Sequence, residues 1–143
     1  MTRVTRRSTV VIAFVVALAM VATGCTKNRY AWDSAVLVNQ ERHNRGVHDL
    51  KLDDTLVNKA QAWAEHMART GTVSHSVLTQ GVGSNWRVLG ENVGWARSAP
   101  EMHSMFMSST SHRNTMLDRR YTRYGVGVSV LHGRHFTVQV FAG

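Results

Sequence analysis

The strongest restriction on the fold of this chain comes from six short patterns that follow one another along its length. They are residues 37–42 (LVNQER), 74–76 (SHS), 90–93 (GENV), 111–117 (SHRNTML), 124–128 (YGVGV) and 136–141 (FTVQVF). Each pattern is too common to identify a fold by itself, but six of them in one order within a small domain are hard to obtain by chance. They therefore indicate one particular folded unit that fills most of the chain.

In this order the six patterns resemble the bacterial branch of the CAP superfamily, the secreted proteins related to cysteine-rich secretory proteins and plant pathogenesis-related proteins. The resemblance covers residues 32–143. It implies an α+β fold, a three-layer α-β-α sandwich in which helices cover an antiparallel sheet. A fold hosts many functions, so the function must be argued from the site that the fold carries.

The periodicity of the chain agrees with helices first and paired strands last, an order that favours a sheet covered by helices. Apolar residues at helical spacing, with cap residues, predict helices from Ala31 towards Gly46, from Asp53 or Asp54 to Gly71, from Ser98, and from Ser111 to Leu117. Alternating residues rich in Val, Phe and Thr predict strands over 125–131 and 135–141, joined as a hairpin. Residues 81–90 are expected to form a loop that leads into Glu91.

The N-terminus predicts an export signal. Arg3, Arg6 and Arg7 precede an unbroken apolar stretch over residues 10–22. As a helix this stretch would rise roughly 20 Å, against about 30 Å for the hydrocarbon core of a bilayer. A signal peptide is therefore favoured over a permanent transmembrane helix. The general secretory route and twin-arginine export both remain open.

Residues 22–25 (ATGC) resemble a lipobox, in which small residues precede a cysteine that receives a diacylglyceryl group and becomes the first residue of the mature protein. This predicts a signal peptide over 1–24, a lipidated N-terminus and tether over 25–30, and the CAP domain over 31–143. The protein would then be a lipoprotein, anchored to the cell membrane through Cys25 with acyl chains such as palmitate. An ordinary signal peptide with an incidental cysteine is the alternative, and it would give a secreted protein.

Composition limits the partners of the exported domain. Cys25 is the only cysteine, so no intramolecular disulfide can form and the domain must stand on its hydrophobic core, as an expected monomer. Of the 17 Lys and Arg residues three precede Cys25, while all nine acidic residues follow it, so the mature charge is 14 minus 9, or +5. This charge suits anionic lipid headgroups or acidic wall polymers, or serves solubility alone. Scattered basic residues and the export signal argue against nucleic acid.

The resemblance places three residues in the cleft of the family: His75, Glu91 and His112. A second cleft glutamate, found in many members, has no counterpart, because residues 106–109 (FMSS) contain no acidic side chain. Two imidazoles and a carboxylate are a plausible donor set for a divalent cation such as zinc. The alternative is that both histidines bond to Glu91 or to the backbone and hold the cleft in shape.

These residues leave three classes of function open, and the balance leans away from an enzyme. The leading interpretation is a binding module for an envelope lipid, glycan or metal ion, because no nucleophile is evident and no nucleophile-elbow pattern is present. The alternative is a metal-assisted hydrolase of peptide, ester or wall substrates with Glu91 as base or ligand, or a serine paired across segments, such as Ser76 with His112. A purely structural envelope protein is the third class.

Four further residues have two interpretations each. Asn39 and Arg42 on the first helix fall at recurrent family positions, but they would also suit buried polar residues that tie this helix to a neighbouring loop. Trp86 and Trp95 flank Glu91 and are the best candidates among the tryptophans for a platform that contacts a ligand, although a tryptophan more often belongs to the core or the cleft wall.

Overall fold

The computed structural model describes residues 29–143, which form four helices and four strands. The expected signal peptide and Cys25 lie outside this range. No helix within residues 29–143 has the length and apolar character needed to cross a membrane. Helix α1 covers residues 29–44, and it is followed by β1 (Lys51–Leu52), α2 (Asp54–Thr70), β2 (Leu89–Ala96), α3 (Ala99–Ser108), α4 (Thr110–Leu117), β3 (Arg123–Leu131) and β4 (Arg134–Ala142).

Helix α2 begins and ends where its sequence predicts. Asp53 is the N-cap, and its Oδ1 accepts a hydrogen bond from the backbone N–H of Leu56 at 3.1 Å, which satisfies one free amide of the first turn. Its Oδ2 accepts from Arg123 at 2.7 Å, and this hydrogen bond lowers the pKa of Asp53. At the other end Gly71 adopts a left-handed φ of 68°, a conformation that carries no steric cost for glycine.

Helices α3 and α4 follow each other with one extended residue between them. Ser98 caps α3 as predicted, because its hydroxyl accepts from the N–H of Glu101 at 3.3 Å. Ser111 does not cap α4, since the helix starts at Thr110, two residues earlier than a cap at Ser111 implies. Ser109 occupies the N-cap position with an extended backbone and no side-chain hydrogen bond. His112 therefore lies in the first turn of α4.

The four strands form one sheet in the order β1-β3-β4-β2, so β1 and β2 are its edges. Strands β3 and β4 are antiparallel and are joined by a two-residue turn at His132 and Gly133, whose φ values of 48° and 75° are those of a type I′ hairpin. Strand β2 pairs antiparallel with β4. The two residues of β1 pair parallel with β3, which adds a short parallel edge to the expected antiparallel sheet.

No strand is predicted from the sequence over residues 91–96, and the expected loop over 81–90 extends two residues into β2. Gly90 and Gly94 interrupt the apolar alternation of this strand, and glycine is depleted in strands. Both glycines are explained by packing: a Cβ on Gly90 would lie 2.3 Å from the hydroxyl of Tyr121, and one on Gly94 would lie 2.8 Å from Cε of Met102. Pairing with β4 makes this segment a strand, and close packing accounts for the two glycines in it.

Helices cover both faces of the sheet. Helix α2 packs on one face in a core that includes Leu56, Ala60 and Phe136. Helices α1, α3 and α4 pack on the other face around residues such as Phe106 and Tyr124. The described residues thus form the predicted α+β fold, a three-layer α-β-α sandwich.

Candidate functional site

The candidate site lies at β2, an edge strand of the sheet. Successive side chains of a strand point to opposite faces, so Glu91 and its neighbour Asn92 meet different layers. Glu91 bonds to the loop after α2, and Asn92 bonds to α4. His75 from this loop and His112 from α4 therefore approach the same edge strand from the two faces of the sheet.

Glu91 is the centre of the cluster. Its Oε1 accepts hydrogen bonds from Nδ1 of His75 at 2.8 Å and from the backbone N–H of Ser76 at 2.9 Å, and its Oε2 accepts from the Ser76 hydroxyl at 2.6 Å. The Glu91 side chain is 3% exposed, whereas that of His75 is 64% exposed. A buried carboxylate that accepts from Nδ1 fixes the orientation of the imidazole and leaves Nε2 available to a ligand.

The loop that carries His75 is held on α2 by two residues whose role the sequence analysis missed. Nε1 of Trp63 donates to the carbonyl oxygen just before His75 at 2.7 Å. Nζ of Lys59 donates to the carbonyl oxygens of Val77 and Gln80, at 2.9 and 2.7 Å. The i, i+4 spacing of Lys59 and Trp63 places them on one helix face, but only the folded chain shows which loop that face holds.

A buried amide positions His112 on the other face of the sheet. Asn92 is fully buried, and its Nδ2 donates to the carbonyl oxygen of His112 at 3.1 Å and to Oε1 of Gln139 at 3.3 Å. Oδ1 of Asn92 has no hydrogen-bond partner among the described residues. The His112 ring packs against Phe106, with ring centroids 4.9 Å apart. The stretch in which a second cleft glutamate was sought thus places an apolar ring, that of Phe106, beside His112.

Two causes favour the neutral form of His112. Burial lowers the pKa of His112 below its ordinary value of 6.5, and His75 lowers the same pKa further because two positive imidazoles repel each other. At neutral pH His112 therefore presents an uncharged imidazole.

We expect His112 to titrate below pH 6.5 when its ring protons are followed by NMR. His75→Ala removes the weaker cause, so the midpoint should rise but stay below the ordinary value, because burial remains. The unfolded chain takes up this proton first as the pH falls, so stability decreases as the pH falls below about 6.5 towards the lower pKa of the folded state. A wild-type midpoint at or above 6.5 would contradict this account.

The hydrogen bonds around Glu91 concern two chemistries that the sequence leaves open, a zinc site and a serine–histidine pair. Within residues 29–143, no group of three or more His, Cys, Asp or Glu side chains is arranged to hold a metal ion. Both oxygens of Glu91 accept hydrogen bonds from His75 and Ser76. The zinc site on His75, Glu91 and His112 stays a prediction. The Ser76 hydroxyl donates to Glu91 rather than to an imidazole. In the described part of the chain, neither histidine of the cluster is hydrogen-bonded to a serine.

The two tryptophans that flank Glu91 in the sequence have different surroundings. Trp86 is partly buried against the core on the α2 side, and its Nε1 donates to the carbonyl oxygen of Gly83 at 3.0 Å. Trp95 is 40% exposed near the end of β2, where the guanidinium of Arg134 lies 5.0 Å from its ring centroid. Trp95 thus contributes to the protein surface at the end of β2, next to Arg134.

Comparison with known families and sequences gives two matches. The model of the cysteine-rich secretory protein family, CAP, matches residues 36–141, which include His75, Glu91 and His112. The uncharacterized protein YkwD of Bacillus subtilis (strain 168) is 30% identical over 100 residues, covering 64% of this chain and 39% of YkwD. The chain thus spans about two fifths of the length of this relative.

Solved structures show the same fold. An outer surface protein from Borrelia burgdorferi superimposes with a TM-score of 0.68 at 16% identity, over 76% of this chain and 87% of that one. An extracellular protein containing an SCP domain from Bacillus anthracis has a TM-score of 0.68 at 23% identity, over 81% of this chain and 41% of that one. At these identities the likeness concerns the fold alone, and it confirms the predicted fold class.

Proposed function

The chain belongs to the cysteine-rich secretory protein (CAP) family, and on that premise we propose that it is an exported, membrane-anchored lipoprotein whose CAP domain binds an envelope lipid, glycan or metal ion without chemical turnover. One observation carries this proposal. The buried carboxylate of Glu91 holds the largely exposed ring of His75 in a fixed orientation, and the next residue of β2, Asn92, holds the backbone of His112, whose ring is neutral. The cleft thereby offers two oriented imidazoles to a ligand.

The same hydrogen bonds favour recognition over hydrolysis. The serine pair that the sequence leaves open needs an imidazole as base on the hydroxyl, but the Ser76 hydroxyl donates to the carboxylate of Glu91 rather than to an imidazole. A general base must be within reach of water, but the Glu91 side chain is only 3% exposed and about three of its four lone-pair sites already accept hydrogen bonds. Imidazole nitrogens can bond to sugar hydroxyls or phosphate oxygens, or coordinate a cation, without any of these steps.

Two further observations support a place outside the cytoplasm. Positive residues, an apolar stretch and a lipobox-like tetrad precede the domain in that order. The Borrelia relative is named an outer surface protein, and the Bacillus anthracis relative an extracellular protein. A protein of this kind would present its cleft to the lipids and polymers of the envelope.

Binding is tested by titrating the purified protein separately with zinc, with wall glycan fragments and with short-chain phospholipids while the imidazole NMR signals are followed. At least one ligand should shift the signals of His75 and His112 saturably. His112→Ala should weaken that binding by roughly tenfold, the effect of losing one good polar contact. His43→Ala, at an exposed histidine of α1, should leave it unchanged.

Failure of all three ligands to shift either imidazole would overturn the binding proposal. Turnover of an ester or peptide substrate that is lost in Glu91→Gln would favour the hydrolase instead.

If Cys25 is lipidated, we expect the wild-type protein to partition with membranes and the Cys25→Ser variant to carry no lipid. Each buried methylene contributes about 0.8 kcal/mol, and a diacylglyceryl group inserts two chains where one alone holds only marginally. The variant should be released after cleavage elsewhere or persist as unprocessed precursor. Mass spectrometry of the N-terminal peptide and membrane fractionation check this. Wild-type protein found unlipidated in the medium would show a plain secreted domain.

A further inference from the structure

The chain enters the domain at one end of the sheet. Tyr30, in the first turn of α1, is buried; its ring stacks on His135 with centroids 4.6 Å apart, and its hydroxyl donates to the carbonyl oxygen of Ser98 at 3.0 Å. Ser98 follows β2 and His135 lies at the start of β4. The described part of the chain therefore begins beside the β3–β4 turn.

The tether is short. Cys25 precedes Tyr30 by five residues, which span about 17 Å when fully extended. If the lipid of Cys25 lies in the membrane, Tyr30 must lie within about this distance of the membrane surface. The end of the sheet at which Tyr30 is fixed then faces the headgroups.

That end carries a basic surface with an exposed indole. We call it the hairpin end and define it by Trp95, Arg97, His132, Gly133 and Arg134, which line a recess of about 590 Å³. In the described part of the chain neither arginine side chain forms an ion pair with a carboxylate, and the recess has no acidic lining residue, although the Glu101 carboxylate accepts from the backbone N–H of Arg97 at 2.8 Å beside it. A tryptophan flanked by arginines is the combination that membrane interfaces favour, since the indole suits the headgroup region and the guanidinium groups attract anionic lipid.

A second exposed apolar surface is less suited to an anionic membrane. The α1 groove, a recess of about 600 Å³ with Trp32, Val36 and Leu52 exposed around it, lies next to β1 at the opposite edge of the sheet from β2. Its lining within residues 29–143 includes Asp49 but no lysine or arginine. The charge of the two surfaces therefore favours the hairpin end.

We propose that the hairpin end is the surface with which the anchored domain docks on anionic lipid headgroups. This inference rests on the proposed lipid anchor at Cys25 and adds the orientation of the domain. Glu91 lies five residues before Ala96 along β2, which places Glu91 about 17 Å further from the hairpin end than Ala96. The anchored domain then directs the His75–Glu91 pair away from the bilayer, towards ligands of the envelope.

The test uses mature lipoprotein reconstituted into phosphatidylcholine vesicles with and without phosphatidylglycerol, in which the lipids carry brominated acyl chains that quench tryptophan at the interface. Quenching should require phosphatidylglycerol. It should largely disappear in Trp95→Phe and persist in Trp32→Phe, since Trp32 is the more exposed indole at 61% but lies in the α1 groove.

Charge reversal supplies the matched control. Arg97→Glu with Arg134→Glu should lower the quenched fraction at least about fivefold, because each cation near an anionic surface contributes appreciably. Arg87→Glu with Arg119→Glu changes the net charge equally at two exposed residues outside the hairpin end and should leave quenching intact. Equal loss in both variants, or quenching carried by Trp32, would overturn the proposal.

Two further measurements separate this inference from the anchor. The mass of the N-terminal peptide reports lipidation of Cys25, so an anchored protein without Trp95 quenching refutes the docking surface alone. An unlipidated wild-type protein refutes the anchor, and the inferred orientation fails with it. Sedimentation as a dimer, with the hairpin end protected from hydrogen exchange without lipid, would make a second copy the occupant and also overturn the proposal.

Discussion

Arg42→Met should destabilise the domain by about 3–5 kcal/mol, because it leaves several buried carbonyl oxygens without a donor. Arg42 has no exposed surface, and it is among the largest fully buried side chains of the described residues. Its guanidinium donates to the carbonyl oxygens of His48 and Met116 at 2.8 Å, of Asp118 at 3.0 Å and of Tyr121 at 3.4 Å. One side chain thereby joins α1 to the segment before β1, to the end of α4 and to the segment before β3.

The geometry of the guanidinium explains why this residue is difficult to replace. Its planar fork reaches several acceptors at fixed angles, whereas the ammonium of lysine is a point charge on a flexible stem. Burial lowers the pKa of Arg42, but the nearby carboxylates of Asp118 and Asp49 act in the opposite direction. Arg42→Lys should therefore recover only part of the lost stability.

Urea denaturation measures the effect, and Arg45→Met is the matched control. Arg45 lies three residues further along the chain, is exposed, and pairs with Glu41 at i, i+4. Exposed pairs of this kind contribute at most about 0.5 kcal/mol. The midpoint should fall strongly for Arg42→Met and hardly for Arg45→Met, with similar slopes. Equal, small shifts would mean that water replaces the guanidinium at its carbonyl partners.

Helices α2 and α3 could be predicted from the sequence because their caps are local. Asp53 and Ser98 satisfy amides within three residues, and Gly71 acts through its own dihedral angles. Strand β2 could not be predicted, because what makes it a strand is pairing with β4 far along the chain. The extended backbone of Ser109, which sets the start of α4, is likewise not evident from local residue types.

For the site, sequence resemblance named His75, Glu91 and His112 but could not describe how they are held. The separations of 16 and 21 residues carry no local signature. His75 is oriented by Glu91 and by the loop that Trp63 and Lys59 hold, and His112 by Asn92 from the neighbouring strand position. These contacts join residues that are far apart in the sequence, so they form only when the helices pack on the sheet.

Gly127→Ala should destabilise the domain by about 3 kcal/mol or more, because α2 lies directly on the backbone of β3 at this residue. A Cβ on Gly127 would lie 2.2 Å from the backbone C of Ala60 and from the backbone N of Gln61. Backbone atoms inside a helix cannot move singly, so the whole helix must shift, and such overpacking is costly. Gln61 also fixes this contact, because its Oε1 accepts from the N–H of Val128 at 3.0 Å.

Gly94→Ala is the matched control, since it adds the same methyl group to another strand of the sheet. The nearest atom to that methyl would be Cε of Met102 at 2.8 Å, the mobile end of a flexible side chain. Its cost should be about 1 kcal/mol. In thermal unfolding we expect the melting temperature to fall by roughly 10 °C for Gly127→Ala and only by a few degrees for Gly94→Ala.

The displaced helix connects this stability effect to the site. Helix α2 holds the loop of His75 through Trp63 and Lys59, so a shift of α2 should disturb the His75–Glu91 hydrogen bond. The His75 ring signal should therefore move in Gly127→Ala at a temperature where the variant is still folded, and it should stay in place in Gly94→Ala. If both variants leave the His75 signal unchanged, the loop is held independently of the position of α2, and the cleft does not depend on how closely α2 packs on β3.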